Sequence, residues 1–202
     1  IGSRNPDIAA FGNGGWRVLS ADWDHAVHAP LRWSDDGRSV FFSAEDRARN
    51  HLWRFDLERR EAARAVAGGW VQGFDVAAGV VATVADAMDH PARVHAQRDG
   101  EAPRRLERFN DELLAQLRLG THEDVTVTGA QGDPVQMWVV YPPGFDARKK
   151  YPVLHSIHGG PHAAAGDTFH YRWNSHVFAA QGYVVAALNY HGSSGFGHNF
   201  LD

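Results

Sequence analysis

Two apolar runs in the last third of the chain each lead directly into a glycine-rich segment. Val153–Ile157 precedes His158-Gly159-Gly160-Pro161, and Val184–Leu188 precedes the segment 189–197. Short apolar runs bounded by turn residues are typical of buried strands. Between them, Thr168–Gln181 has the composition of a helix and is followed by a glycine, the residue favoured just after a helix end. The pattern predicts a βαβ unit whose glycine-rich loops lie at the carboxyl ends of parallel strands, where open α/β sheets bind ligands.

The first hundred residues have a different pattern, in which short strands alternate with turns rich in Ser, Asp and Gly. The turn Trp33–Ser39 leads into Val40–Phe42, and His51–Asp56 then alternates apolar and polar residues. A similar order returns about 40 residues later, where Phe74–Gly79 precedes Val80–Val84. A repeat of roughly 40 to 50 residues built from short strands is typical of β-propeller blades. Because only two repeats are visible, a plain antiparallel meander or sandwich remains the alternative. Residues 1 to about 30 are predicted to be loop with one short strand.

Residues 109–120 separate these two patterns. Asn110 or Asp111 can cap a helix, and the leucines that follow have helical spacing, which predicts a linker helix. After it, Glu123–Thr128 and Val135–Tyr141 have strand patterns joined by a turn, which predicts a hairpin.

Composition excludes several classes of function. The 202-residue chain is 44% hydrophobic with a net charge of -4, which suits a packed core and gives no electrostatic footprint for nucleic acid. No apolar run approaches the roughly 18 residues that span a bilayer, so we expect no membrane partner.

The absence of cysteine excludes disulfides, and none of the 13 histidines falls in an H-E-x-x-H pattern, so we expect no metal and no cofactor. Four tryptophans without a basic run beside them are predicted to pack in the core or within propeller blades rather than to stack on bases: Trp33, Trp53, Trp70 and Trp138.

Seven short motifs follow one another in a specific order and spacing. They are Trp33–Arg38, Arg108-Phe109-Asn110, Pro142–Phe145, Lys150-Tyr151-Pro152, His158–Pro161, Trp173-Asn174 and Asn189–Gly197. Together they resemble the prolyl oligopeptidase family of serine peptidases, in its acylaminoacyl-peptidase and dipeptidyl-peptidase branch. The resemblance implies a mixed fold, with all-β propeller blades followed by the N-terminal part of an α/β-hydrolase fold. It implies blades at residues 1–108, the linker helix at 109–120 and the truncated hydrolase domain at 121–202.

The resemblance also implies an activity, the hydrolysis of peptide bonds near the N-terminus of short peptides. The enzyme would be an acylaminoacyl-, aminoacyl- or dipeptidyl-peptidase that uses a Ser nucleophile, a His base and an orienting Asp. Short peptides are the expected partners, since a propeller would restrict access to small or unfolded substrates, and an oligomer could form through the hydrolase domain. Any leader would precede Ile1, which leaves a cytoplasmic, periplasmic or secreted location open.

The first glycine-rich segment occupies the place of the oxyanion loop of α/β-hydrolases, which follows the third strand and is often an HGGG-type run. By the resemblance, Gly160 is the expected backbone N–H donor to the oxyanion, with Gly159 next. Glycine lets the backbone approach a substrate without a Cβ in the way, and Pro161 is predicted to stiffen the turn. The alternative is a tight strand-to-helix turn with no ligand role.

Three polar residues near the glycines are predicted not to be catalysts. His158 is expected to orient the loop through its ring hydrogen bonds, because the family's catalytic His follows its Ser and Asp. Ser193 and Ser194 do not fit the G-x-S-x-G nucleophile pattern, and the surrounding segment lacks the glycine pattern of nucleotide-binding loops. We therefore expect this chain to be a catalytically inert fragment that ends at Asp202, before the triad. The alternatives are a non-catalytic propeller module that binds proteins, or an esterase of the same hydrolase fold.

Overall fold

The computed structural model describes residues 6–130, 132–160 and 162–201. Pro161, predicted to stiffen the first glycine-rich segment, lies outside the described residues. The strands are β1 Ala9–Gly12, β2 Gly15–Val18, β3 His28–Trp33, β4 Ser39–Asp46, β5 Arg49–Asp56, β6 Glu61–Val66, β7 Trp70–Ala77, β8 Val80–Ala87, β9 His90–Arg98, β10 Arg104–Arg105, β11 His122–Thr128, β12 Pro134–Val140, β13 Val153–Ser156 and β14 Val184–Leu188. The helices are α1 Asp111–Leu114, α2 Ser175–Ala179 and α3 His198–Leu201.

Strands β3 to β10 form two consecutive antiparallel meanders, which we call the β-meander region. The first contains β3 to β6 and the second β7 to β10. One parallel pair, Asn50 with Trp70, joins β5 to β7. Since β4 starts at Ser39 and β8 at Val80, the sequence repeat corresponds to a repeat of strands. Over the described residues this sheet is open, with β3 and β10 at the two ends of its strand order.

The first meander is buried on both faces. Phe42 and Trp53 pack in one cluster, and their chain neighbours Phe41 and Leu52 pack in another, because successive residues of a strand face opposite sides of a sheet. Trp33 is instead 62% exposed, so the prediction that it packs in the core is wrong. It lies at the end of β3, the last strand in the sheet order, where no described strand covers it.

Strands β11 to β14 form a separate four-stranded sheet in the order β11-β12-β14-β13, which with α2 and α3 makes up the α/β region. Strand β13 pairs parallel to β14, and the connection between them contains α2, so the predicted βαβ unit is confirmed. Its core contains Trp138, Val140 and Val185. Ala48 and Met88 of the β-meander region pack in the same cluster, so the two regions share one hydrophobic core.

The crossover helix is much shorter than the predicted span Thr168–Gln181, because α2 begins only at Ser175. Asn174 caps it by accepting a hydrogen bond from the backbone N–H of His176. The residues before it bond elsewhere, since the N–H of Asp167 donates to the carbonyl oxygen of Ala48. The helix end agrees better with the prediction, because Gly182 has a φ of 93°, which favours glycine after a helix.

The predicted linker helix is reduced to the single turn of α1. The side chain of Asn110 makes no capping hydrogen bond, and Leu113 is 60% exposed. An isolated turn without a buried apolar face gains little from propensity alone, which explains its length. Among the described residues, no helix is long and apolar enough to cross a lipid bilayer.

Candidate active site

The two glycine-rich segments lie side by side. The first loop (residues 158–165) follows β13 and the second loop (residues 189–197) follows β14. Because β13 and β14 are adjacent and parallel, both loops leave the same edge of the sheet. The sequence pattern therefore predicted their proximity correctly.

The second loop fixes the beginning of the first through His158. Tyr190 donates its hydroxyl to the carbonyl oxygen of His158 at 2.7 Å, and the two rings stack with centroids 4.4 Å apart. The Nε2 atom of His158 lies 2.9 Å from the hydroxyl oxygen of Ser193. The Nδ1 atom of His158 lies 2.8 Å from the carbonyl oxygen of Gly159, so both ring nitrogens have a partner, which suits an orienting role.

The second loop also holds the far end of the first. The backbone N–H of Ser194 donates to the carbonyl oxygen of Ala163 at 3.1 Å, and the Nδ1 atom of His162 lies 3.3 Å from the carbonyl oxygen of Gly192. Gly192 has a φ of 93°, a left-handed conformation that glycine adopts without a Cβ penalty. The sharp turn of the second loop therefore presents backbone groups with which the first loop forms hydrogen bonds.

Gly159 and Gly160, the predicted oxyanion donors, are exposed at the mouth of this arrangement. Within the described part of the chain, neither backbone N–H donates a hydrogen bond. A Cβ on Gly159 would meet nothing within 4 Å, and one on Gly160 would approach only the His162 nitrogen, at 3.8 Å. Neither glycine has a left-handed φ, so neither is required by its backbone conformation. What glycine provides at both positions is open space in front of two available donors.

The two serines of the second loop are poorly placed for nucleophilic attack. Ser193 lies 2.9 Å from Nε2 of His158, a contact that a nucleophile and its base could also make, but it is fully buried and so its hydroxyl cannot meet a substrate. Ser194 donates its hydroxyl to the carboxylate of Glu45 in the β-meander region. The Ser193 hydroxyl therefore contacts the first loop, and the Ser194 hydroxyl contacts the β-meander region.

A cavity of about 600 Å³ opens beside Gly159, between the sheet and α2. Its lining includes Ser156, Ile157 and the buried His176. Burial lowers the pKa of His176, whose two ring nitrogens have no hydrogen-bond partner in the described structure. The volume is within the range of small-ligand pockets.

A buried carboxylate connects the β-meander region to the segment after the first loop. Asp86 accepts hydrogen bonds from the side chains of Gln72 and Thr168 and from the backbone N–H of Phe169. Burial raises the pKa of Asp86 despite these donors, because it removes the carboxylate from water. On the other side of the contact, Asp167 accepts from the backbone N–H of Met88 at 3.0 Å. Each region thus provides an aspartate that accepts hydrogen bonds from the other region: Asp86 from the β-meander region and Asp167 from the α/β region.

The sequence interpretation named Asn189 as part of a motif but gave it no role of its own, and it missed Asp86 and Asp167, the other polar residues that join these elements. Asn189 follows a buried strand at its carboxyl end, and that position alone could have marked it for attention. Asp86 and Asp167 carry no local signal, because the partners that join them to the other region, Thr168 and Met88, are more than 70 residues away. No group of three or more potential metal ligands occurs among residues 6–130, 132–160 and 162–201.

Comparison with known proteins bears on this geometry. A sequence profile of the prolyl oligopeptidase family matches residues 169–202, which contain α2, β14 and the second loop. The dipeptidyl-peptidase 5 of Trichophyton equinum is 32% identical over 191 residues, covering 91% of this chain and 26% of that protein. The resemblance to the prolyl oligopeptidase family is confirmed.

Solved structures agree at the level of the fold. The acylaminoacyl peptidase of Pyrococcus horikoshii superposes with a TM-score of 0.82 at 23% identity, covering 98% of this chain and 30% of that chain. An acylaminoacyl peptidase in complex with Z-Gly-Gly-Phe-chloromethyl ketone gives the same TM-score, identity and coverage. This chain spans about a quarter of the length of its prolyl oligopeptidase-like curated relatives.

Proposed function

We propose that the full-length protein is a serine peptidase that hydrolyses peptide bonds near the N-terminus of short peptides. The family match supports the reaction class, and the names of the similar proteins, dipeptidyl-peptidase and acylaminoacyl peptidase, support exopeptidase-type substrates. The observation that carries the proposal is the first loop, in which two unengaged N–H groups border open space beside a cavity of about 600 Å³.

The first loop has the chemistry that acyl transfer requires. Attack on a peptide carbonyl places negative charge on its oxygen, and fixed backbone N–H groups stabilise that charge without reorganising. The N–H of Gly160, with that of Gly159 next, would donate to the oxyanion. None of the serines in the 202 residues stands in a G-x-S-x-G pattern. The nucleophile, its His base and the orienting Asp would therefore come from residues outside this sequence.

The same proposal assigns domains to the chain. Residues 1–108 would be blades of a β-propeller, supported by the two meanders that repeat at the sequence period. Residues 109–120 would be the linker, and residues 121–202 the first part of an α/β-hydrolase domain, supported by the parallel pair β13–β14. The propeller would limit substrates to short peptides, and the hydrolase domain would provide the surface for any oligomer.

The test uses the full-length protein and chromogenic amides of single amino acids, dipeptides and acylated amino acids. We expect hydrolysis of at least one amide class, complete inhibition by a fluorophosphonate, and covalent labelling of one serine outside residues 1–202. The 202-residue chain alone should show neither turnover nor labelling. Turnover by the chain alone, abolished by the fluorophosphonate, would contradict the assignment of the nucleophile.

The two alternatives predict different outcomes in the same assay. An esterase of the hydrolase fold would cleave the matching chromogenic esters and leave all amides intact. A non-catalytic binding module would show no turnover and no labelling by the fluorophosphonate. Either result overturns the proposed function.

A further inference from the structure

Asn189 makes an unusually complete set of contacts with the first loop. Its Oδ1 accepts a hydrogen bond from the backbone N–H of Ala165 at 2.7 Å, and its Nδ2 donates to the carbonyl oxygen of the same residue at 3.1 Å. The side chain therefore satisfies both backbone polar groups of one loop residue, as a paired strand would. Asn189 is fully buried. Ala165 is itself half-buried, and this clamp pairs both of its backbone polar groups at the end of the first loop.

A second set of hydrogen bonds fixes Asn189 itself. Its Nδ2 also donates to Oε1 of Gln136 on β12 at 2.5 Å, and its backbone N–H donates to the Gln136 carbonyl oxygen at 2.9 Å. The Nε2 of Gln136 donates to Asp124 at 2.9 Å, and Arg49 of the β-meander region donates to the other oxygen of that carboxylate at 2.7 Å. A continuous line of polar side chains thus runs from the start of β5 to the first loop.

The indole of Trp138 adds a further contact at the same point. Its Nε1–H donates to the carbonyl oxygen of Ala165 at 3.0 Å, so that oxygen accepts from two buried side chains. The opposite end of the first loop is held by Tyr190 and Ser193 through His158. Gly159 and Gly160 lie between these two anchors along the chain.

We propose that Asn189 is a positioning residue for the oxyanion donors, acting through its clamp on Ala165. This inference rests on the proposed function, because it assigns Asn189 a role in that reaction. Asn189 touches no reacting atom. It determines the geometry of the loop that does, and a displacement of about 1 Å in such a group can cost roughly 100-fold in rate. The hydrogen bond to Oε1 of Gln136 fixes the orientation of its carboxamide.

The decisive variant is Asn189→Ala in the full-length peptidase, because it removes both clamp bonds and adds no charge. We expect kcat to fall by about 10- to 100-fold with KM changed less than about twofold, since the clamp acts on the transition state more than on substrate binding. A peptide boronate forms an adduct with the nucleophile that places an oxygen among the donors. Its affinity for the variant should fall by a factor similar to the fall in kcat. A product peptide should bind as it does to the wild type.

Two further measurements separate positioning from general destabilisation. Asn50→Ala is the matched control, because Asn50 is also buried and its side chain donates to a backbone carbonyl oxygen, that of Val71, within the β-meander region. Asn50→Ala should lower the melting temperature but leave kcat equal to that of the wild type. Hydrogen exchange of the full-length protein should show faster exchange at residues 158–166 in Asn189→Ala only. If Asn189→Ala does not fold, Gln136→Met replaces it, because this substitution preserves side-chain volume. It should lower kcat without changing KM, by a smaller factor than Asn189→Ala.

The outcomes distinguish the inference from the function on which it rests. Wild-type protein without any turnover overturns the proposed function, and the inference with it. An active wild type together with an Asn189→Ala variant of unchanged kcat overturns the inference alone. An equal loss of kcat in Asn50→Ala also overturns it, because the effect would then be one of stability.

Discussion

The hydroxyl oxygen of Thr168 lies 3.0 and 3.1 Å from the two carboxylate oxygens of Asp86, 82 residues earlier in the chain. Asp86 is only 2% exposed, whereas Thr168 is half-buried and lines the cavity. The contact joins the segment that follows the first loop to β8. The β-meander region therefore contributes directly to the position of that segment in the α/β region.

Thr168→Val tests how much this contact stabilises the protein. The substitution preserves shape and removes one donor to a buried carboxylate, so we expect the free energy of unfolding to fall by about 1 to 3 kcal/mol. The measurement is chemical denaturation at pH 7. Thr83→Val is the control, because Thr83 is buried in β8 and its hydroxyl makes no hydrogen bond in the described structure. A similar loss in both variants would show that the Asp86 contact is not responsible.

Gly166→Ala tests the packing at the same contact. A Cβ on Gly166 would lie 2.4 Å from Cζ3 of the Trp70 ring, so the indole and the segment cannot both remain in place. We expect a loss of about 1 to 3 kcal/mol in the free energy of unfolding, the usual range for overpacking. Gly73→Ala in β7 is the control, since a Cβ there would meet nothing within 4 Å. Equal melting temperatures for Gly166→Ala and wild type would refute the close contact.

Local patterns were sufficient to predict the parts of the fold that depend on local contacts. The run Val184–Leu188 was predicted to be a strand and is β14, and the spacing of the two glycine-rich segments placed them at one edge of the sheet. The repeat of about 40 residues corresponds to the two meanders. These features follow from side-chain alternation and from turn residues, which act over a few positions.

The sequence failed where distant contacts decide the structure. Thr168–Gln181 has the composition of a helix, but Asp167, Thr168 and Phe169 form hydrogen bonds with the β-meander region instead of continuing a helix. The hairpin β1–β2 was predicted as only one strand. In the candidate site, Gly159 and Gly160 could be nominated from pattern alone. The role of Asn189 depends on partners 24 and 53 residues away, which no local pattern indicates.

His51 gives the protein a defined dependence of stability on pH. Burial, followed by the nearby Arg64 guanidinium, lowers the pKa of His51 to about 4. An unfolded chain protonates this histidine near pH 6.5, whereas the native protein resists protonation down to about pH 4. His51 therefore contributes stability above pH 6.5, and that contribution is lost as the pH falls from 6.5 to 4.

His51→Asn isolates this effect. Its Oδ1 can still accept the hydrogen bond that the Gly68 N–H donates to Nδ1 of His51. Between pH 7 and pH 5, the wild type should lose about 2 kcal/mol more unfolding free energy than the variant, at 1.36 kcal/mol per pH unit. Denaturation curves of both proteins at the two pH values measure the difference. Parallel losses in the two proteins would exclude His51 as the source.

Gly160→Ala separates the catalytic role of the first loop from its structural role. Gly160 has no left-handed φ, and a Cβ would approach only the His162 nitrogen, at 3.8 Å, so the unfolding free energy should change by less than about 0.5 kcal/mol. If substrate approaches the N–H of Gly160, the added methyl group occupies part of that space. Alanine keeps the backbone N–H, but its methyl group would exclude the oxyanion from it, so we then expect kcat/KM of the full-length enzyme to fall by about 100-fold or more, as when one oxyanion donor is lost. Gly12→Ala, in an equally open environment on β1, should change neither quantity. Unchanged kcat/KM in Gly160→Ala would contradict the proposal that the Gly160 N–H donates to the oxyanion. Gly159 would then be the next candidate.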